Sequence, residues 1–215
     1  MEALLEIFLH LDIHLHKWIL LLGPFIYILI FAIVFCETGL VVTPFLPGDS
    51  LLFALGTFIQ LKTGNLSFFW VATTLMVAAI LGDFTNYMIG YHLGPKIFKK
   101  KQGFWFNEKH LLTTQAFYKR HGGKAIILSR FLPILRTFAP FVAGIGKMEY
   151  KQFCLFNIFG GISWVLFFLS LGFFFGAIPI VRENFEVVIV GIIFLSCLPL
   201  IIRTIQSYTS KKTPL

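Results

Sequence analysis

The sequence predicts an all-α polytopic membrane protein with four transmembrane helices, two inverted re-entrant hairpins and an N-terminal amphipathic helix. Three observations carry this prediction. Of 215 residues, 57% are apolar and 13% charged, and the mean hydropathy of +0.84 exceeds what a soluble domain of this size holds. Apolar runs at 18–36, 66–91, 153–178 and 187–202 approach or exceed the about twenty residues needed to cross a bilayer. Two further apolar stretches, 40–59 and 125–144, carry the same Phe-Leu-Pro signature beside ionised residues. One is Phe45-Leu46-Pro47-Gly48-Asp49, and the other is Phe131-Leu132-Pro133 between Arg130 and Arg136. Proline, glycine and charged side chains are what a lipid-buried helix avoids. Both stretches therefore read as broken helices lining a polar site, a transporter pattern.

The first seventeen residues hold Glu2, Glu6 and Asp12 instead of a basic leader, with no small-residue cleavage site after the first apolar run. A cleaved signal peptide is not expected. Leu4, Phe8, Leu11, Leu15 and Trp18 recur at helical spacing and predict an interfacial amphipathic helix. His10 and His14 lie one turn apart, but without a third ligand they read as interfacial histidines, and no metal site is expected. Cys36, Cys154 and Cys197 are scattered in or beside apolar runs and read as small core hydrophobes.

The run at 18–36 spans once and ends at Glu37. Pro44, Pro47, Gly48 and Asp49 then interrupt 40–59, dividing it into arms of about nine residues, or roughly 14 Å each. Arms of about half the hydrocarbon thickness suit a re-entrant hairpin better than a span. The run at 66–91 spans again, with Asp83 and Asn86 towards its far end. A basic stretch between 96 and 124 follows, where Asn107 is placed to cap a short surface helix closed by Gly122-Gly123. The second broken segment, 125–144, contains Pro133 and Pro140, and the spans 153–178 and 187–202 complete the chain.

Four spans and two hairpins put the N-terminus, the basic stretch and the C-terminus on one side. That side collects Lys17, the basic stretch, Lys147, Lys151, Arg203, Lys211 and Lys212, against Lys62 and Arg182 on the other. The asymmetry predicts cytoplasmic termini. It makes the first hairpin enter from outside and the second from inside, an inverted pair meeting near the midplane. The net charge of +8 flanks apolar runs, which points to anionic lipid head groups and not to nucleic acid. One domain over 1–215 is expected.

Glu37, Asp49, Asp83, Arg130 and Arg136 lie in apolar runs or at their edges, where each charge costs about 2.5–3.5 kcal/mol at the bilayer centre. One reading has them pair with one another and with loose backbone at the hairpin tips. The other, which we favour, has the arginines hold an anionic group while a carboxylate exchanges a proton. Arginine's planar fork makes paired bonds to phosphate and stays charged when buried. Arg130 and Arg136 are six residues apart across Pro133, so an arm and a broken tip can aim both at one phosphate. A partly buried carboxyl group can exchange a proton near physiological pH, and Glu37 and Asp49, flanking the first hairpin, are the better carriers. Asp83, with Asn86, reads as a structural or supporting partner. Gly48, Gly144 and Gly146 read as turns and close helix contacts, and Gly160-Gly161 as a packing notch. Asn157 is expected to bond a hairpin tip, and Trp164, mid-span, to pack on a hairpin.

These residues resemble the DedA family of bacterial inner-membrane proteins, also described by the VTT or SNARE-associated domain. The likeness runs through Phe35-Cys36-Glu37-Thr38-Gly39-Leu40 and Pro44-Phe45-Leu46-Pro47-Gly48-Asp49-Ser50. It continues from Gly122-Gly123-Lys124 through Ser129-Arg130-Phe131 and Pro133 to Arg136-Thr137-Phe138-Ala139-Pro140-Phe141-Val142-Ala143-Gly144. Gly82-Asp83 with Asn86-Tyr87, and Asn157 with Gly160 and Trp164, complete it. The resemblance implies a transporter-like fold with two re-entrant hairpins, in the bacterial inner membrane, with a role in envelope maintenance and division. It implies a flippase returning undecaprenyl phosphate to the cytoplasmic leaflet, or a part in proton-motive-force homeostasis. It also implies that the family's acidic pair and arginine pair fall on Glu37, Asp49, Arg130 and Arg136.

The expected partners are a polyprenyl phosphate or other anionic phospholipid, protons and membrane lipids, with no cofactor; a homo-oligomer stays open. The alternatives are a cation/proton antiporter and a non-transporting scaffold affecting proton-motive force, although two arginines beside the carboxylates favour an anionic ligand. An enzyme is not expected. A membrane lipid phosphatase of the phosphatidic-acid type carries Ser-Arg, then His after five residues and Asp after three more. Here Ser129-Arg130 is followed at those places by Arg136 and Pro140, leaving neither nucleophile nor orienting carboxylate.

Overall fold

The computed structural model describes residues 11–40, 48–100 and 123–176, with isolated positions between 178 and 191. Among these, every regular element is a helix. The start of the amphipathic helix, the arm carrying Pro44 and Pro47, the expected surface helix after Asn107 and most of the span 187–202 lie outside the described residues.

Among the described residues, three stretches are long and apolar enough to cross a membrane: Lys17–Gly39, Phe68–Leu93 and Tyr150–Phe175. They match three of the expected spans with shifted ends. The first is not one continuous helix. It runs as α1 (Leu11–Leu22), a 3-10 turn (Gly23–Phe25) and α2 (Ile26–Gly39). Gly23 takes φ +49, a conformation that glycine adopts without steric cost. Pro24 has no N–H to continue the ladder. The α2 helix stops where Leu40 turns extended, at φ −106 and ψ 118.

The first broken segment resumes as α3 (Gly48–Gln60), whose residues from Gly48 to Phe58 are all buried. At 13 residues it is about 20 Å long, longer than the expected arm and still short of the about 30 Å hydrocarbon layer. The next helix, α4 (Phe68–Lys100), continues past the apolar run into the basic stretch. The second broken segment is α5 (Lys124–Ser129) and α6 (Pro133–Ile145), separated by Arg130, Phe131 and Leu132. Leu132 is extended, at φ −121 and ψ 109, as the residue before a proline tends to be. Pro133 then begins α6, where its missing N–H costs nothing. The last described helix is α7 (Tyr150–Phe175).

The two short arms are exchanged between halves. The α3 arm precedes α4 but packs along α7, and α6 precedes α7 but packs along α4. Glycines on both partners allow each crossing. A Cβ on Gly56 of α3 would sit 2.7 Å from the Phe173 nitrogen, and one on Gly172 of α7 would sit 2.7 Å from the Phe53 carbonyl carbon. The other crossing repeats this, with Gly144 against the Tyr91 nitrogen at 2.7 Å and Gly90 against the Phe141 carbonyl carbon at 2.9 Å. Backbones this close exclude any side chain larger than hydrogen.

Candidate functional site

The breaks bring the ends of α2, α3, α5 and α6 together against the middles of α4 and α7. Glu37 ends α2 and Asp49 lies in the first turn of α3. The backbone N–H of Gly48 donates to Glu37 Oε1 at 3.1 Å. A Cβ on Gly48 would collide with that carboxylate, so glycine there lets Glu37 cap the helix. Two carboxylates thus sit at the N-terminus of α3, the positive end of its dipole.

Arg136, in the first turn of α6, answers both of them. Its Nη1 donates to Glu37 Oε1 at 2.8 Å, and its Nη2 donates to Asp49 Oδ1. Its Nε donates to the Arg130 carbonyl at 3.0 Å, across the break. The guanidinium carbon lies 4.4 Å from the centroid of the Trp164 ring, a cation–π distance, and the Trp164 indole N–H donates to Asp49 Oδ1 at 2.8 Å. All three guanidinium nitrogens are partnered, and one face is covered.

Arg130, at the C-terminal end of α5, faces elsewhere. Its Nη2 donates to Asp83 Oδ2 on α4 at 2.6 Å and to Asn157 Oδ1 on α7. The Asn157 amide in turn donates to the Ile80 carbonyl at 3.1 Å. Arg130 lies in the Gly160–Gly161 notch, where a Cβ on Gly160 would sit 3.0 Å from its Cδ and 3.1 Å from its Nε. Arg130 Nε and Nη1 and Asp83 Oδ1 are buried with no hydrogen-bond partner among the described residues.

Asn86, on α4, ties the elements together. Its amide nitrogen donates to the Thr38 carbonyl at 3.1 Å and to the Thr137 carbonyl at 2.7 Å. Those are the residues immediately after Glu37 and Arg136. The Thr38 carbonyl is among the last of α2 and has no following turn to accept from. One side chain therefore meets a helix-end requirement and sets the approach of the two charged partners.

All five charged residues singled out in the sequence are buried and meet in ion pairs. The arginines do not converge on one point: Arg136 takes Glu37 and Asp49, and Arg130 takes Asp83. Asp83, read in the sequence as a structural or supporting partner, pairs directly with Arg130. Trp164 and Asn157 each touch a broken segment, and Gly48, Gly144 and Gly160–Gly161 serve close contacts. Pro47 lies outside the described residues. The sequence reads Asn86 as a structural partner, but its bridge between the Thr38 and Thr137 carbonyls was not foreseen, although a polar amide towards the far end of a span was the signal. With three carboxylates against two guanidiniums, the cluster carries a net charge of −1 when fully ionised. Among the described residues no group of three His, Cys, Asp or Glu side chains is placed to hold a metal ion.

The VTT domain model matches residues 46–174, taking in four of the five charged positions. The protein DedA of Escherichia coli K12 is 48% identical over 203 residues, covering 94% of this chain and 93% of that protein. An uncharacterized membrane protein of Mycobacterium leprae is 41% identical, covering 83% of this chain and 79% of its own. The inner membrane protein YghB of Escherichia coli K12 is 34% identical, covering 83% and 80%. No solved structure matches.

Proposed function

The chain belongs to the VTT-domain family of DedA membrane proteins, and on that premise we propose that it moves a phosphate-bearing lipid across the bacterial inner membrane, coupled to protons. Undecaprenyl phosphate, recycled as a wall carrier, is the lipid we put first. The observation that carries the reading is the buried ion-pair cluster at the meeting of two broken helices, with two guanidiniums and an excess carboxylate. Charges held inside a membrane at such cost mark a ligand or ion path.

The roles follow from the chemistry. Arginine provides permanent positive charge and planar donors for a phosphate oxyanion. Glu37 and Asp49 share a single guanidinium, so protonating one leaves the other fully matched. Glu37 Oε2, buried with no hydrogen-bond partner among the described residues, is the oxygen where a proton would reside. In this reading the segments 40–59 and 125–144 enter from opposite sides, with both termini cytoplasmic. Protonation and lipid binding bias the arms between outward and inward openings, while the polyprenyl tail stays in lipid.

The test is undecaprenyl phosphate transport by purified protein in proteoliposomes, with and without a pH gradient. Transport that the gradient accelerates and Arg136→Ala abolishes is the expected result. No transport by the wild type overturns the reading. The excess carboxylate also favours a second reading, cation/proton exchange. Proton flux driven by a sodium or potassium gradient, without lipid movement, would establish it instead.

A further inference from the structure

The two arginines differ in how completely they are used. Arg136 spends Nε, Nη1 and Nη2 on three partners and lays a face on Trp164. Arg130 spends Nη2 alone, leaving Nε and Nη1 without hydrogen-bond partners among the described residues. Its counter-ion is equally underused, because Asp83 engages through Oδ2 while Oδ1 has no hydrogen-bond partner among the described residues. Arginine–carboxylate pairs are frequently bidentate, with two parallel N–H···O bonds, and the Arg130–Asp83 pair is not. A buried pair held at one point is poorly compensated for the water both partners have lost.

We infer that Asp83 is an internal counter-anion occupying Arg130 in place of the ligand, so that an incoming phosphate oxyanion and the Asp83 carboxylate compete for one guanidinium. The inference deepens the phosphate reading above and rests on it. A phosphate monoester offers three terminal oxygens, enough to engage the nitrogens that Asp83 leaves unused. Asp83 is on α4 whereas Arg130 sits at the break between α5 and α6, so exchanging the carboxylate for a ligand uncouples the second broken segment from α4 at that point. Gly160 and Gly161 put no side chain of their own against Arg130, so on α7 the guanidinium is held by the Asn157 amide oxygen. Arg136, fully engaged, is by contrast a positioning residue that holds Glu37 and Asp49.

The consequence is that releasing Asp83 subtracts from the measured affinity, as any competing internal state does. The experiment measures binding of farnesyl phosphate and, separately, inorganic phosphate to the full chain in nanodiscs by calorimetry. Asp83→Asn keeps the shape and removes the charge, and is expected to tighten farnesyl phosphate by about tenfold, the scale of removing a competing state that dominates the free protein. Adding Arg130→Gln to Asp83→Asn should cancel that gain. Wild-type binding that Asp83→Asn leaves equal or weaker overturns the inference and spares the phosphate reading. Tightening for inorganic phosphate alone supports the counter-anion and overturns a lipid ligand. Binding of neither probe by any variant overturns both. If Asp83→Asn does not fold, infrared difference spectra of the wild type decide: farnesyl phosphate should shift a buried carboxylate band, and an unchanged carboxylate region overturns the inference.

Discussion

Arg136 and Arg130 stand six residues apart on either side of one helix break, both buried and both paired with carboxylates, yet they are built differently. Arg136 closes a network of four side chains from α2, α3, α6 and α7. Arg130 touches Asp83 at a single point. The difference teaches that burial and charge alone do not identify the residue free to act. On the counter-anion inference, unused hydrogen-bonding capacity does. A saturated arginine anchors the elements it touches, whereas an undersaturated one has donors to offer a ligand.

The most severe way to break this comparison is to remove each guanidinium. Arg136→Ala strands two buried carboxylates and should cost about 3–5 kcal/mol of stability, the range for a broken buried pair. Arg130→Ala strands only Asp83 and should cost less. Thermal denaturation in detergent reads the order, and restoring part of the loss by adding Glu37→Gln to Arg136→Ala would trace it to the stranded charge. An equal cost for the two alanine variants would remove the distinction.

Lysine substitutions sharpen the contrast at smaller amplitude. Lysine keeps the charge but lacks the planar fork. Arg136→Lys cannot meet three divergent acceptors and should lose about 1.5–3 kcal/mol, the scale of a hydrogen bond to a charged group. Arg130→Lys can keep its single contact to Asp83 and should denature within about 1 kcal/mol of the wild type. Smaller again is Trp164→Phe, which retains an aromatic face for Arg136 and deletes the N–H donated to Asp49. We expect a loss of about 1.5 kcal/mol, with a larger effect in the wild-type background than beside Asp49→Asn, as a double-mutant cycle would measure. Smallest is Asn86→Ala, about 1 kcal/mol: both carbonyls lose the amide, but the Thr137 carbonyl lies within α6 and only the Thr38 carbonyl is left at a helix end. Its cycle with Glu37→Gln should show coupling, and additivity would mean that the amide bridge does not position the Glu37–Arg136 pair.

Much of the fold was legible because the bilayer restricts what an apolar run can contain. Glu37, Asp49, Asp83, Arg130 and Arg136 stood out because each is costly in such a run, and Asn157 and Trp164 because polar and amphipathic side chains are rare at mid-span. The breaks at Gly48 and Pro133 were equally plain from proline and glycine chemistry. The Gly23–Phe25 turn passed unread although its Gly-Pro pair is an ordinary breaker, since the surrounding apolar run was read by hydropathy alone. Which acid meets which arginine was not legible. The partners of Arg136 lie 99 and 87 residues away, and Trp164 lies 115 residues from Asp49. Spacing and periodicity carry nothing over such separations.

The sequence by itself determined the solvent this protein lives in, where its helices break and which side chains would be expensive enough to require partners. Those are local consequences of burial cost and backbone chemistry, readable a few residues at a time. Only the tertiary structure decided that the two short arms pack on each other's long helix, since that depends on glycines at matching heights on distant helices. The same crossing divided the charges into a saturated group around Arg136 and an open pair at Arg130. Hydrogen-bond directions depend on three-dimensional placement to a fraction of an ångström, which no linear pattern encodes.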